Sequence, residues 1–196
     1  MKDMINFLFE VGMLKKTPRS GYQFLGSGRE SVAEHSFRTA VIGYMLACQK
    51  PEADSRKTTL MCLFHDLHEA RTGDQNYVNK RYVRVNEEKA VEDLTRRIPF
   101  GNEIVSIMNE FNAGESLESR LSRDADQLDL ILELKEQNDL GNKYAKDWLF
   151  YAEKRLTTDI GKNMAREILK TDSTDWWFDK KTDLWVNGPE NHQKDK

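Results

Sequence analysis

The sequence is poor in residues that break helices or cross-link chains. It has four prolines, eleven glycines and two cysteines in 196 residues. Cys48 and Cys62 both lie in apolar helical patterns, so we interpret them as small core residues and not as a disulfide pair. The length fits one domain that can bury a sizeable core.

Long apolar runs and an excess of one charge are also missing. No run approaches the ~20 residues that span a bilayer, and Asp3, Asn6 and Glu10 interrupt the apolar amino terminus, which argues against a signal peptide. Charged residues make up 32%, yet the net charge is −3. These features argue against a membrane protein and against binding of a nucleic acid polymer, and they predict a cytoplasmic protein.

What the sequence does contain is helical periodicity. Apolar residues recur at spacings of three and four, and strict alternation is scarce, which predicts an all-α fold. Loops are expected at about 18–29 and 74–85. The predicted helices cover about 2–14, 31–48, 55–72, 86–97, 103–111, 116–140, 143–155 and 158–169.

The pattern also predicts which residues pack. Ser31 and Glu34 have the spacing of a capping box at the start of the second helix. The inner faces of the first two helices are predicted to carry Ile5, Leu8, Phe9 and Met13, and Phe37, Val41, Tyr44 or Met45, and Cys48. The domain is expected to cover 1–186, followed by a frayed polar tail at 187–196. The aromatic residues before that tail are interpreted as packing or interface residues: Trp176, Trp177, Phe178 and Trp185.

The most informative stretch is LMCLFHDLHEARTGD, from position 60 to 74. It places His65 and Asp66 side by side in an apolar run, and a buried carboxylate requires a charged partner, for which a divalent metal is well suited. Glu69 follows one helical turn after His65, and Asp74 follows at the end of the helix. A hydrogen-bonded core histidine is the alternative interpretation of His65.

Matching ligand types occur elsewhere in the chain. His35 lies on the second helix, and a long downstream helix carries Asp124, Asp126 and Asp129. Asp126 shares a line of that helix with apolar residues, which favours a partly buried carboxylate there, but periodicity leaves the other two aspartates open. Two histidines and two aspartates form a nitrogen and oxygen donor set that suits Mn, Co, Fe, Zn or Mg.

Basic residues occur in both predicted loops. Arg19 lies in the first loop, and its planar fork is suited to a phosphate, although a solvated surface arginine is the alternative. Lys80, Arg81 and Arg84 follow the acidic residues in the second loop. They fit either a phosphate or lid region or an ordinary solvated loop.

Together these residues resemble a known family. His35, His65-Asp66 and Asp126 are similar to the H…HD…D signature of HD-domain metal-dependent phosphohydrolases. The segments VAEHS at 32–36, HDLHEARTGD at 65–74 and DADQLD at 124–129 resemble the HD-domain 5'-deoxynucleotidases more narrowly. The resemblance covers about residues 2–170.

The resemblance implies a single compact HD-domain helical bundle that forms a homodimer. It implies that His35, His65, Asp66 and Asp126 bind one divalent metal ion, for which Co, Mn, Mg and Zn are the candidates. It further implies that Arg19 holds the 5'-phosphate of a nucleoside 5'-monophosphate substrate. In such enzymes Glu69 and Asp74 match acidic residues that face the substrate and the attacking water.

One position departs from the pattern. Some members of the family have a tryptophan directly after the phosphate-binding arginine, where it is associated with rejection of a ribose 2'-hydroxyl. Ser20 occupies that position here, and Tyr22 is the nearest aromatic alternative, so both deoxy- and ribonucleotides are candidate substrates. Two other functions compete: hydrolysis of a nucleotide polyphosphate such as an alarmone or a deoxynucleoside triphosphate, and non-catalytic nucleotide binding.

Overall fold

A computed structural model describes residues 1–178, 181–182 and 184–188. Two short 3-10 helices at Gly12–Lys15 and Asn79–Arg81 join longer elements. The α-helices are α1 (Lys2–Val11), α2 (Tyr22–Leu25), α3 (Val32–Cys48), α4 (Ser55–Phe64), α5 (Glu69–Thr72), α6 (Glu87–Thr95), α7 (Gly101–Ala113), α8 (Leu117–Asp139), α9 (Lys143–Glu153), α10 (Asp159–Lys170) and α11 (Leu184–Asn187).

The predicted all-α fold is confirmed. Over the described ranges, extended backbone pairs at a single isolated bridge between Pro18 and Ser31, which closes the loop that carries Arg19. The predicted capping box at Ser31 and Glu34 is present at the start of α3. Among the described helices, none is both long and apolar enough to cross a bilayer.

Helix α8 is the centre of the fold. It packs against α3 and α4 on the side that carries the candidate site and against α9 and α10 elsewhere. Its fully buried residues include Leu121, Ala125, Leu128 and Ile131, which belong to the larger apolar core. A second core joins α1, α6 and α7 beside the turn after α4. The two cores therefore hold the helices that carry the candidate ligands.

The apolar faces predicted for α1 and α3 are wrong. Ile5, Leu8 and Phe9 are exposed, whereas Met4 and Phe7 pack toward the core. On α3, the predicted inner residues are exposed as well: Phe37, Val41, Tyr44, Met45 and Cys48. Both helices therefore present large apolar side chains to the outside of the chain.

Close packing of α3 against α4 explains why the predicted inner face of α3 is exposed. The buried face of α3 carries small or polar residues such as Thr39, Ala40 and Gly43. A Cβ at Gly43 would clash with the sulfur of Cys62 on α4, so only glycine permits this approach. Since both faces of α3 are apolar or small, periodicity alone could not identify the buried one.

The carboxyl-terminal aromatic residues pack partly on one another. The ring of Trp177 lies 5.7 Å from that of Trp185, and Phe178 contacts the same ring at 5.3 Å. Trp176 is exposed. The predicted polar tail lies outside the described residues from position 189 onward.

Candidate metal centre and substrate cavity

Four predicted ligands converge between α3, α8 and the turn that follows α4. His35 Nε2 lies 3.3 Å from His65 Nε2 and 3.2 Å from Asp126 Oδ1. Asp66 Oδ2 lies 3.2 Å from His65 Nε2 and 3.6 Å from His35 Nε2. Both imidazoles are buried. Two nitrogens and two carboxylates from three separate parts of the chain thus face one point.

The turn after α4 explains why neighbouring residues can face the same point. The helix predicted at 55–72 is interrupted, and the backbone from His65 to His68 turns with hydrogen bonds between residues three apart, such as Leu67 N to the Phe64 carbonyl. In a regular α-helix adjacent side chains point in different directions. The turn brings His65 and Asp66 together.

The second nitrogen of each imidazole has a partner that fixes the ring. His35 Nδ1 donates to Asp129 Oδ2 over 2.6 Å, and His65 Nδ1 donates to the Cys62 carbonyl over 2.7 Å. Asp129 is fully buried and also accepts from Arg38 Nε. Both rings therefore present Nε2 to the centre, which is the arrangement typical of metal-ligating histidines.

The charges at the centre fit a divalent cation. Burial raises the pKa of the Asp126 carboxyl, but the hydrogen bond and charge of His35 outweigh burial and hold it at about 2. The pKa of Asp66 is also well below its usual range, because His65 and Arg19 outweigh its burial. Two ionised carboxylates beside two imidazole nitrogens form a donor set that suits Co, Mn, Zn or Mg.

The structure distinguishes Asp126 from Asp124 and Asp129, the two aspartates that periodicity left open. Asp126 faces the centre, while Asp129 holds His35. Asp124 is buried and accepts hydrogen bonds of 2.8 Å from the backbone amides of Thr157 and Thr158. Asp124 therefore fixes the start of α10 and takes no part in the centre.

Arg19 lies at the edge of the centre. Its Nη1 is 3.3 Å from Asp66 Oδ2 and 3.6 Å from Asp74 Oδ1. Asp74 Oδ2 accepts from both the backbone amide and the hydroxyl of Ser20, at 2.5 and 2.8 Å. Asp74 thus holds the loop that presents the guanidinium.

Glu69 is the most unusual carboxyl in this region. It is buried, and its Oε2 has no hydrogen-bond partner within the described part of the chain. Burial, followed by the charges of Asp66 and Asp74, raises the pKa of Glu69 to about 9. The side chain can therefore hold a proton at neutral pH, and its free oxygen is available to a water or a ligand.

A cavity of about 370 Å³ adjoins these residues. That volume lies in the range of small-ligand sites. Its lining combines the polar residues described above with an apolar set on α2, α8 and α9. This apolar set consists of Leu25, Leu130, Leu134 and Trp148. The arrangement can accept a ligand with one anionic end and one flat or apolar end.

Two residues of this region, Trp148 and Gln127, were not identified as functional from the sequence. Trp148 on α9 lines the cavity. Gln127 Nε2 donates to Asp126 Oδ2 over 2.8 Å, and Tyr22 lines the cavity with its hydroxyl donating to Glu133. Gln127 lies within the DADQLD segment, whereas the contacts of Trp148 and Tyr22 join distant parts of the chain, which no local pattern reveals.

His68 and the three predicted loop cations lie outside the metal centre. His68 is half-buried, and its Nε2 lies 3.9 Å from Glu87 Oε1. Lys80 lines the cavity, whereas Arg81 and Arg84 are exposed. Of the three predicted loop cations, Lys80 therefore has access to a cavity ligand.

Comparisons with known proteins are consistent with this geometry. The HD domain family profile matches residues 11–168. A protein named 5'-deoxynucleotidase HDDC2 from Bos taurus is 29% identical over 156 residues, which cover 76% of this chain and 75% of that protein. A protein of the same name from Homo sapiens is 28% identical over 156 residues, with 76% of each chain covered.

Solved structures share the helical arrangement. A conserved hypothetical protein from Pyrococcus furiosus has a TM-score of 0.71 and 30% identity, over 85% of this chain and 96% of that one. An HD phosphohydrolase from cyanophage S-2L, described with bound dA and one catalytic Zn²⁺ ion, has a TM-score of 0.52 and 20% identity, over 83% and 96%. The second likeness supports the fold alone.

Proposed function

The chain belongs to the HD domain family, and we propose that it hydrolyses nucleoside 5'-monophosphates to a nucleoside and orthophosphate. The observation that carries this proposal is the convergence of His35, His65, Asp66 and Asp126 beside a cavity of about 370 Å³ that Arg19 also lines. The relatives named 5'-deoxynucleotidases support the same reaction class.

Four residues would hold one divalent metal ion. We propose His35, His65, Asp66 and Asp126 in this role, since their Nε2 and carboxylate oxygens face one point. When bound, the ion would lower the pKa of a coordinated water and polarise a phosphoryl oxygen. Co, Mn, Mg and Zn all suit these donors.

Arg19 would bind the phosphate. A guanidinium makes parallel charge-assisted bonds to phosphoryl oxygens, so it both orients the group and balances charge that develops on it. Asp74 already accepts twice from Ser20. Its role in this proposal is to position the Arg19 loop, and not to exchange a proton.

Glu69 would act as the general acid. Its buried Oε2 has no partner among the described residues, and its raised pKa lets it hold a proton at neutral pH. In the proposed reaction, Glu69 delivers this proton to the 5'-oxygen of the leaving nucleoside. General acid catalysis of this kind contributes typically 10²–10⁴-fold.

A nucleotide polyphosphate is the second candidate substrate. Lys80 and Arg155 also line the cavity and could contact additional phosphates. Product analysis distinguishes the two: a monophosphatase releases orthophosphate, whereas the alternative releases pyrophosphate or triphosphate. The test is to offer metal-loaded protein 5'-monophosphates, 3'-monophosphates and triphosphates, with deoxyribose and ribose versions of each. Release of orthophosphate from 5'-monophosphates alone supports the proposal, and release of pyrophosphate or triphosphate contradicts it.

The proposal also covers the oligomeric state of the protein and its location in the cell. We propose one domain over residues 1–186 that forms a homodimer, because α1 and α3 expose large apolar side chains, including Phe9, Phe37 and Tyr44. Such clusters typically mark protein interfaces. Both cysteines are free thiols, in keeping with a reducing cytoplasm.

A further inference from the structure

Trp148 lines the catalytic cavity from α9 and lies against the loop that carries Arg19. A Cβ built at Gly21 would lie 3.0 Å from Trp148 Cη2. Gly21 has an ordinary helical backbone, with φ −59°. The glycine therefore provides space for the indole and is not needed for an unusual backbone conformation.

One short segment joins the anionic and aromatic parts of the cavity. Arg19 faces Asp66, Ser20 is bound to Asp74, and the next residue meets Trp148. Only Ser20 lies between Arg19 and Gly21, so the Cα atoms of Arg19 and Gly21 are at most about 7 Å apart. Arg19 and the position on which the indole packs are therefore close together on one short segment.

Aromatic side chains continue beyond Trp148. A second cavity of about 440 Å³ shares Leu25, Tyr77, Trp148 and Arg155 with the first. Phe24 and Tyr77 pack at its edge with ring centroids 5.5 Å apart. The apolar end of the catalytic cavity therefore opens onto a surface rich in aromatic residues, with Asp147 and Arg155 beside them.

We propose that Trp148 is the stacking surface for the nucleobase of the substrate. This inference rests on the proposed function, because it assumes that a phosphate binds at Arg19. Stacking on an aromatic ring accepts every base, since each base has a π-face. The protein is therefore expected to accept several bases and to bind purines more tightly than pyrimidines.

Tyr22 is less suited to this role. Its hydroxyl is bound to Glu133, and Glu133 is in turn bound to Arg38. The ring is thus held within a charged network of α3 and α8. Trp148 belongs to the apolar part of the lining, where a base can replace water.

The first test compares Trp148→Ala with wild type on deoxyadenosine 5'-monophosphate. Loss of one stacking contact raises KM by about tenfold, while kcat changes little. Trp148→Phe is expected to restore most of the affinity. Phe150→Ala is the matched control, because Phe150 is an exposed aromatic residue of α9 that lines neither cavity.

Product inhibition separates stacking from a general loss of cavity shape. Trp148→Ala should weaken inhibition by deoxyadenosine about tenfold and leave inhibition by orthophosphate unchanged. An unchanged KM and unchanged deoxyadenosine inhibition would overturn the proposal, as would equal weakening of both inhibitors. If wild type hydrolyses no nucleotide, the proposed function fails. Calorimetric binding of deoxyadenosine to wild type and Trp148→Ala would then still decide the role of Trp148, with equal affinity overturning it.

Discussion

His35 Nδ1 donates a hydrogen bond to Asp129 Oδ2 over 2.6 Å, and both side chains are fully buried. This contact fixes the ring that presents Nε2 to the candidate metal. Since Arg38 binds the other oxygen of Asp129, the orientation of His35 depends on a charged pair in α3 and α8.

Asp129→Asn is expected to weaken metal binding without preventing folding. Loss of the carboxylate that orients a ligating histidine typically costs 10–100-fold in metal affinity. Competition with a chromophoric chelator measures this change. Asp124→Asn is the control: it should lower the free energy of unfolding by about 1–3 kcal/mol, because it weakens the bonds to Thr157 and Thr158, and it should leave metal affinity unchanged. Equal metal affinity in Asp129→Asn and wild type would contradict the role of Asp129.

Metal affinity is expected to rise with pH. Burial and Arg19 lower the pKa of His35, but Asp126 and Asp129 outweigh them and raise it from 6.5 to about 10. A ligating imidazole must lose its Nε2 proton, so affinity should increase by up to about tenfold per pH unit below that pKa. Calorimetry in buffers of different ionisation enthalpy should detect the release of about one proton.

The raised pKa of His35 also makes the stability of the metal-free protein depend on pH. Because the folded-state pKa of His35 is raised, its contribution is fully present below pH 6.5 and is lost as pH rises toward 10. Denaturant unfolding of metal-free protein between pH 6 and 10 measures this loss. Stability that increased across this range, or metal binding without proton release, would contradict the protonated state of His35.

Glu69→Gln should abolish most activity and retain the metal. The amide has nearly the shape of the carboxyl but cannot deliver a proton, so kcat should fall about 10²–10⁴-fold. Metal content by atomic emission and kcat from orthophosphate release are the two readouts. Full turnover in Glu69→Gln would show that the proposed acid is wrong.

Arg19→Gln should raise KM at least tenfold, because a charge-assisted hydrogen bond contributes about 1.5–3 kcal/mol. Ser20→Ala should have a smaller effect, since the backbone amide of Ser20 still donates to Asp74. Steady-state kinetics on one 5'-monophosphate measures both variants, with metal content as the control. A larger effect of Ser20→Ala than of Arg19→Gln would contradict the assignment of the phosphate to Arg19.

Phe37→Asp should dissociate the proposed homodimer. It places a charge in the exposed apolar face of α3, where Phe37 is 70% exposed, and burying a charge at an interface is costly. Light scattering after size exclusion gives the mass. Leu140→Asp is the control on another exposed apolar residue. A monomeric wild type would contradict the dimer.

The His65-Asp66 pair pointed to a metal because a buried carboxylate requires a charged partner, and the resemblance to the family supplied the full set of four candidate ligands. The helix type and the capping box at Ser31 were also predictable, since they depend on local spacing. The turn after Phe64 was not, because its hydrogen bonds compete with a helix that the local sequence equally supports. It is this turn that directs His65 and Asp66 to one centre.

Long-range packing explains the other differences. The inner face of α3 depends on the approach of Gly43 to Cys62, which no local pattern reveals. Asp129 and Trp148 acquire their roles from partners on other helices, His35 and the loop at Gly21. Sequence patterns identified the residue types of the site, and tertiary contacts decided which member of each set takes part.

The most direct test of the account is orthophosphate release by metal-stripped protein refilled separately with Co, Mn, Mg or Zn, for wild type and Asp66→Asn. The panel contains deoxy- and ribonucleoside 5'-monophosphates and a 3'-monophosphate. The account predicts metal-dependent release from 5'-monophosphates by wild type and none by Asp66→Asn, which should also fail to bind the metal. No release with any metal, or equal release by Asp66→Asn, would contradict a metal-dependent 5'-nucleotidase centred on these residues.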